Sequence, residues 1–194
     1  MPNSSTKPTI GEVGPIVFDL ETNGLLNDTT RIHCIALYWQ DLDHTQSYND
    51  APYTKAPKEL PMGSSYSITT AISWLETADV LVGHNIVGFD IPIIKSLYPW
   101  FNPSGIIVDT LLLSRLYHPN LLDIDKKSGK IPPKLYGRHS LEAYGYRLDE
   151  YKGDFAKETD WKEWSPEMEA YCIQDVVLTN KLCQHFHPYL IGSN

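Results

Sequence analysis

The stretch Ile16-Val17-Phe18-Asp19-Leu20-Glu21 constrains the chain more than any other. It lies between Gly14-Pro15 and Thr22-Asn23-Gly24, is rich in β-forming residues, and reads as a strand over 15–21. Side chains at i and i+2 of a strand project to one face. Asp19 and Glu21 therefore stand side by side among apolar neighbours. Two like charges there repel each other and lose hydration, and Thr or Val would serve a sheet better. A bound cation would make both acids useful, although a pair of this kind also fits a bent edge strand or a capped terminus.

The rest of the pattern predicts an α/β architecture. In 31–41, Ile32, Cys34, Ala36 and Tyr38 alternate against Arg31, His33, Ile35 and Leu37; this reads as a largely buried strand, with 44–49 as its hairpin partner. Pro52, Pro57, Pro61 and Gly63 mark a loop over 50–64. Ile68, Ala71, Ile72 and Leu75 recur at helical spacing within 67–77. A short apolar strand over 79–85 leads to a helix over 90–100, with Pro92 in its first turn and Pro99 at its end. A strand over 105–108 precedes a helix over 109–117 capped by Asp109.

Residues 118–138 read as one long irregular stretch, of the kind that is usually functional or disordered. A helix over 139–148 follows, opened by His139 and Ser140 as capping residues. The helix over 165–186 is the most strongly marked, with Ser165 at the N-cap, Pro166 at N1 and an apolar run behind them. Strands first and βα alternation afterwards predict a three-layer α/β domain over 15–190, following a disordered lead-in over 1–14.

Composition narrows the function classes. A formal net charge of −8 argues against a general polyanion-binding surface, yet acids gathered in a metal site leave room for basic residues elsewhere. Cys34, Cys172 and Cys183 are odd in number and widely spaced, giving neither a disulfide framework nor a CxxC zinc pattern, which fits a reducing cytoplasm. No apolar run approaches the ~20 residues of a membrane-spanning helix. The start lacks the apolar core of a signal peptide. The expected protein is soluble and cytoplasmic, with no membrane partner.

Other segments add to the strand acids. Tyr171 and Asp175 lie at i and i+4 of the last predicted helix and so share a face. Asp90 follows a strand and turn at the first turn of a helix, where the helix dipole favours an acid. Hard cations such as Mg²⁺ take oxygen ligands, and two of them about 3.5–4 Å apart promote in-line attack on phosphodiesters. One lowers the pKa of a water and the other stabilises the leaving oxygen; a phenol can orient the water. Taken singly, each residue also has a structural reading: helix capping for Asp90 and Asp109, packed core for Tyr171, turn-stabilising hydrogen bonds for His84 and Asn85.

The segments FDLET (18–22), HNIVGFD (84–90) and YCIQD (171–175) resemble the three motifs of the DEDD superfamily of 3′–5′ exonucleases, which have the ribonuclease H-like (DnaQ-like) fold. Ala170 occupies the place of the superfamily's alternative histidine, and Tyr171 lies four before Asp175, as in the tyrosine subtype. That subtype includes the proofreading domains of family A and B DNA polymerases. LETNGLLNDTTRIHCIALYW (20–39), VDTLLLSRLYHPNL (108–121), SGKIPPKLYGRHSLEAYGYRLDEYKGDF (128–155) and EMEAYCIQDVVLTNKL (167–182) are similar to the exonuclease domain of T-odd podovirus DNA polymerases. The similarity runs from about 15 to 186, and no polymerase domain follows in this sequence. A stand-alone exonuclease, a subunit of a split polymerase and an excised domain all fit that departure.

The resemblance implies a mixed five-stranded sheet flanked by helices, two divalent cations (Mg²⁺ or Mn²⁺) and a DNA substrate. It implies that Asp19 bridges both ions, that Glu21 and Asp175 complete the nucleophile-side site, and that Asp90 holds the second ion through water. Tyr171 orients the attacking hydroxide, Leu25 wedges against the 3′-terminal base, and Thr22 meets the 3′ end through its backbone. Single-stranded DNA or DNA 3′ ends would be the substrates, with nucleoside 5′-monophosphates as products and a DNA polymerase as a partner.

Lys126, Lys127, Lys130, Lys134, Arg138, Arg147 and Lys152 face only Glu142, Asp149 and Glu150 within 126–152, so that segment is basic in an acidic chain. It reads either as a solvated loop or as an arm that guides single strands by their phosphates, with Lys126, Lys127 and Lys130 as its contacts. Tyr136, Tyr144 and Tyr146 would stack bases, or Tyr144 and Tyr146 would be core. Two rivals stay open: a 3′–5′ exoribonuclease, and a non-catalytic DNA-binding replisome adaptor on the same fold.

Overall fold

The computed structural model describes residues 14–50, 67–150 and 162–191. The lead-in before Gly14, the loop after Asp50 and Lys152 of the basic segment lie outside the described residues. Five strands form one sheet in the order β3-β2-β1-β4-β5. They are β1 (Ile16–Thr22), β2 (Ile32–Trp39), β3 (His44–Asn49), β4 (Val80–Gly83) and β5 (Ile106–Asp109). β1, β2 and β3 run antiparallel in sequence, whereas β4 and β5 join parallel on the other side of β1. The sheet is mixed and five-stranded, as the resemblance implied.

The alternation of β1 builds the layers. Ile16, Phe18 and Leu20 face one core with Ile68, Ala71, Ile72 and Leu75 of α1 (Ile68–Thr77) and Ile91, Ile93 and Ile94 of α2 (Asp90–Leu97). Val17, with Cys34, Ala36 and Val82, packs on the opposite face against Met168, Cys172 and Val176 of the last helix. Each such side chain, fully buried, is worth about 1.5–3 kcal/mol relative to exposure. Asp19 and Glu21 share the parity of Val17 and so point toward the last helix. α3 (Thr110–Tyr117), α4 (Leu121–Ser128) and α5 (Leu141–Arg147) precede that helix, α6 (Pro166–Ile191). Leu121, Leu141 and Tyr144 pack on Leu178, Leu182 and Phe186 and tie this subdomain to α6.

The stretch 118–138 is not one irregular segment: it holds α4 and a 3-10 turn over Pro133–Leu135. The helix escapes hydrophobic pattern reading because its inward positions are Leu121 and Asp125, while Leu122 and Ile124 are exposed. Arg147 makes the buried acid tolerable, donating from Nε to Oδ1 at 3.0 Å and from Nη2 to Oδ2 at 2.8 Å. The Gly137 N–H adds a third bond at 2.8 Å. Burial pushes Asp125 up, but Arg147 and Gly137 overcome it and hold the carboxyl below its ordinary value. Gly129, at φ +61, ends the helix in the left-handed cap that glycine adopts without strain.

The last helix also differs from expectation. Ser165 caps it, its Oγ accepting from the Met168 N–H at 3.1 Å, but the helix continues past Pro188 to Ile191. α5 is capped by Ser140, whose Oγ accepts from Ala143 N–H, while His139 instead bonds the Ser114 hydroxyl at 2.6 Å. Among the described residues no helix is long and apolar enough to cross a membrane.

Candidate active site

β1 carries the first two acids. Asp19 and Glu21 are half-buried, and one carboxylate oxygen of each lies with Cys172 Sγ in a group whose atoms are all within 4.8 Å of one another. The Cys172 thiol approaches the Asp19 carbonyl oxygen at 3.4 Å and Oδ2 at 3.8 Å. Sequence reasoning considered the cysteines only for disulfides and zinc and missed this contact. Its signal was present: Cys172 lies between Tyr171 and Asp175 in the third motif.

Asp90 arrives from the other side of β1. β4 pairs with β1 only through Leu81 and Val82, so the edge of β1 beyond Val17 is left for another partner. At Gly83 a Cβ would meet Ile86 Cγ2 at 2.1 Å and the Phe18 carbonyl at 3.0 Å, so only glycine allows the chain to turn away here. The turn returns the chain to β1 at α2, where the Leu20 N–H donates to the Asp90 carboxyl. Asp90 thus touches the backbone between Asp19 and Glu21.

Asp109, the last residue of β5, fixes this turn. Its Oδ1 accepts from the N–H groups of Asn85 and Leu111 at 2.9 Å, and its Oδ2 from Val87 N–H at 3.1 Å. One carboxylate therefore caps α3 and also braces the turn leading to Asp90. Asn85 sits at φ +69 within that turn. Thr110 Oγ1 donates its one hydrogen to the Gly83 carbonyl at 3.0 Å, so the 2.9 Å contact with His84 Nδ1 requires the proton on Nδ1. His84 has the turn-stabilising role expected for it.

α6 supplies the remaining groups. Asp175 is buried, and Tyr171, one turn before it, is half-buried. Burial first, then the charges of Asp175, Glu21, Asp19 and Glu142, push the Tyr171 phenol far above its ordinary value. The phenol keeps its proton at every working pH and can act as a hydrogen-bond donor. The same field shows that three of the four acids surround it.

Asp90 is pushed up to about 7, chiefly by burial and further by Asp109, against the hydrogen bonds from its own N–H and that of Leu20. An unfolded Asp ionises near ~4, so between the two values the folded chain binds more protons. Stability from this group is therefore full below about pH 4 and is lost as pH rises through about 7. Melts in EDTA are expected to show stability falling between about pH 4 and 7 and levelling off above that, by on the order of a few kcal/mol in all. Asp90→Asn should flatten that slope, and a slope unchanged in the variant would assign it elsewhere.

The acids fit divalent cations. Asp19 and Glu21 each bring a carboxylate oxygen within 4.8 Å of the other, and Asp90 is a buried carboxyl pushed up chiefly by burial, so a bound cation would offset the cost of ionising it. Oxygen donors of this kind suit Mg²⁺ or Mn²⁺.

The other predicted residues divide between the loop after β1 and the segment around α4 and α5. Thr22 is buried and its hydroxyl donates to the Gly24 carbonyl at 2.7 Å. Asn23 Oδ1 clamps the N–H groups of Thr30 and Arg31, both at 3.0 Å, and so orders the loop that follows. On that loop Leu25 is 75% exposed, an apolar side chain held in solvent beside the acidic strand. Lys126 and Lys127 are exposed in the last turn of α4. Lys130 pairs with Asp149 at 3.3 Å and Lys134 with Glu142 at 3.8 Å, both exposed, and Arg147 is committed to Asp125. The basic segment is thus more neutralised than its sequence implied. Tyr144 is fully buried and Tyr146 packs on Ile131, Leu135 and Ala143, which makes both of them core.

The chain is 32% identical to the DNA-directed DNA polymerase of Escherichia phage T7 and 31% identical to that of Enterobacteria phage T3, over 89% of its own length in each case. It spans only 27% of the length of either relative. Among solved structures, Brucella melitensis NrnC superposes with a TM-score of 0.61 at 16% identity, covering 94% of this chain and 77% of that one. NrnC has also been solved with bound Mg²⁺, at a TM-score of 0.58. A family profile matches residues 16–187, nearly all of the described fold, and by that match the chain belongs to the RNase H superfamily.

Proposed function

We propose that the chain is a metal-dependent 3′–5′ exodeoxyribonuclease that releases nucleoside 5′-monophosphates from DNA 3′ ends, with single strands or frayed termini preferred. The observation that carries this reading is the placing of the Tyr171 phenol in the joint field of Asp19, Glu21 and Asp175. The likeness to phage DNA polymerases supports DNA as the substrate, and supports a role beside a polymerase.

Asp19, Glu21 and Asp175 would hold one cation, and Asp19 with Asp90 the other, either Mg²⁺ or Mn²⁺. When bound, such ions supply Lewis acidity, lowering the pKa of water and offsetting charge on the leaving oxygen. The protein groups do the positioning. Tyr171, kept protonated, donates to the attacking water and fixes its direction. Leu25 offers an apolar face to the terminal base, and the Thr22 backbone meets the 3′ end beside it. Terminal nucleotides must splay apart to reach both, which explains the preference for unpaired ends.

A gel of 5′-labelled single-stranded and duplex DNA tests this. Stepwise 3′ shortening with Mg²⁺ or Mn²⁺ and none with EDTA is expected, and an intact oligonucleotide in all lanes would remove the enzyme reading. A second reading, a 3′–5′ exoribonuclease, draws on the fold shared with NrnC, which has been solved bound to pGG. A matched RNA oligonucleotide trimmed faster than DNA would select it.

Lys126, Lys127 and Lys130 are proposed to contact the strand's phosphates. Exposed pairs such as Lys130–Asp149 are worth about 0–1 kcal/mol, so a phosphate can replace the carboxylate. Replacing all three by alanine is expected to weaken DNA binding in EDTA and to reduce its salt slope by roughly two, at about 0.7 per phosphate on single strands. An unchanged slope would leave the segment as a solvated surface.

A further inference from the structure

Two histidines outside the carboxylate cluster meet across the far end of α6. His118 follows α3 directly, its N–H donating to the Ser114 carbonyl at 2.9 Å, and His185 lies on α6. Their Nε2 atoms are 3.3 Å apart. That is longer than a good neutral hydrogen bond, which falls at about 2.7–3.2 Å. Two nitrogens at roughly 2.0–2.1 Å from one tetrahedral ion would be about 3.3–3.4 Å apart. The rings are held in place: Phe186 packs on His118 at 5.3 Å and Tyr189 meets it edge-on at 5.6 Å. Tyr117 stacks on Tyr189 at 4.7 Å and closes the back of the cluster.

From this geometry we propose that His118 and His185 form a two-histidine site for a borderline divalent transition ion (Zn²⁺, Ni²⁺ or Cu²⁺), joining the end of α3 to α6. Imidazole selects such ions over Mg²⁺. His185 is exposed, so water completes the coordination. Burial lowers the pKa of both histidines, and their mutual repulsion, with Arg147 and His139, lowers His118 further, which leaves both rings as free bases at neutral pH. The Arg147 charge in this field is offset by its bidentate pairing with Asp125. His185 is ten residues beyond Asp175, about 15 Å along the helix, so the site is separate from the acids. The ion's effect is on stability, because ordering α3 against α6 by a ligand favours the folded state.

Calorimetric titration of metal-stripped protein with Ni²⁺ and with Zn²⁺, in saturating Mg²⁺, tests the site. One equivalent of bound ion and a raised Tm are expected for the wild type, with binding at least tenfold weaker in His118→Ala and in His185→Gln. The Mg²⁺-dependent rise in Tm should be the same in all three proteins, which reports their folding and keeps the carboxylate site apart from the result. A Cys172→Ser protein that still binds the equivalent would confirm that it is not held beside Asp19. Equal affinity in the histidine variants, or no binding to the wild type, would overturn the proposal.

Discussion

Asp175→Ala is expected to slow 3′ trimming by at least about a thousandfold, roughly 4 kcal/mol of transition-state stabilisation, with no loss of fold. Asp175 is buried on α6, where its charge adds to those of Asp19 and Glu21 around Tyr171. In metal-free protein these acids repel, so removing one relieves the cluster, and Tm in EDTA should hold or rise. With Mg²⁺ the sign reverses: if Asp175 is a ligand as proposed, the variant should gain less Tm from the ion than the wild type. Activity within tenfold of wild type would end the assignment of Asp175 as a metal ligand. A large fall in Tm without metal would recast it as a structural acid.

Asp109→Ala should do the opposite, damaging the fold first and activity as a consequence. The substitution leaves the N–H groups of Asn85, Val87 and Leu111 without their acceptor. Asn85 and Val87 are exposed, so water partly replaces the acceptor and each lost bond costs about 0.5–1.5 kcal/mol; with about 0.5–2 for the N-cap, about 2–4 kcal/mol is expected by denaturant unfolding. Asp109→Asn keeps one acceptor oxygen and should fall between. Because the turn over 85–88 delivers Asp90 to β1, the asparagine variant should need more Mg²⁺ for half-maximal rate. A destabilisation under ~1 kcal/mol would mean that the turn is held by its own backbone bonds and by Thr110.

The contrast between these two acids marks what the sequence reveals and what it conceals. Asp19, Glu21, Tyr171 and Asp175 are legible because strand and helix periodicity dictate which side chains share a face, and their motifs lie on strongly patterned elements. The sheet is legible for a related reason: β1, β2, β4 and β5 each carry a short apolar run, and polar β3 is legible as the hairpin partner of β2. α4 is not legible, because a salt-bridged carboxylate takes the inward position that pattern reading reserves for an apolar residue. The second function of Asp109 is hidden too. Its N-cap role follows from local sequence, but the Asn85 and Val87 bonds span 24 and 22 residues and depend on the strand pairing of Gly83 with Asp109. Cys172 beside Asp19 is likewise a contact between α6 and β1: the third motif contains the cysteine, but its approach to Asp19 depends on the fold. Asp149 and Glu142 are visible in the sequence as acids of the basic segment, but that they pair with Lys130 and Lys134 depends on the fold.

The two faces of β1 have a consequence for how this chain can change. Ile16, Phe18 and Leu20 look into a dry core, and Asp19 and Glu21 look the other way. Because the strand period is two, a single inserted residue between Val17 and Phe18 would exchange the faces, driving both acids into the packing of α1 and α2. Drift along this strand is therefore confined to substitution within each face. Replacing Asp19 and Glu21 by their amides would leave the dry face and the shape unaltered, and under the proposed function such a silent protein would hold a 3′ end without cutting it.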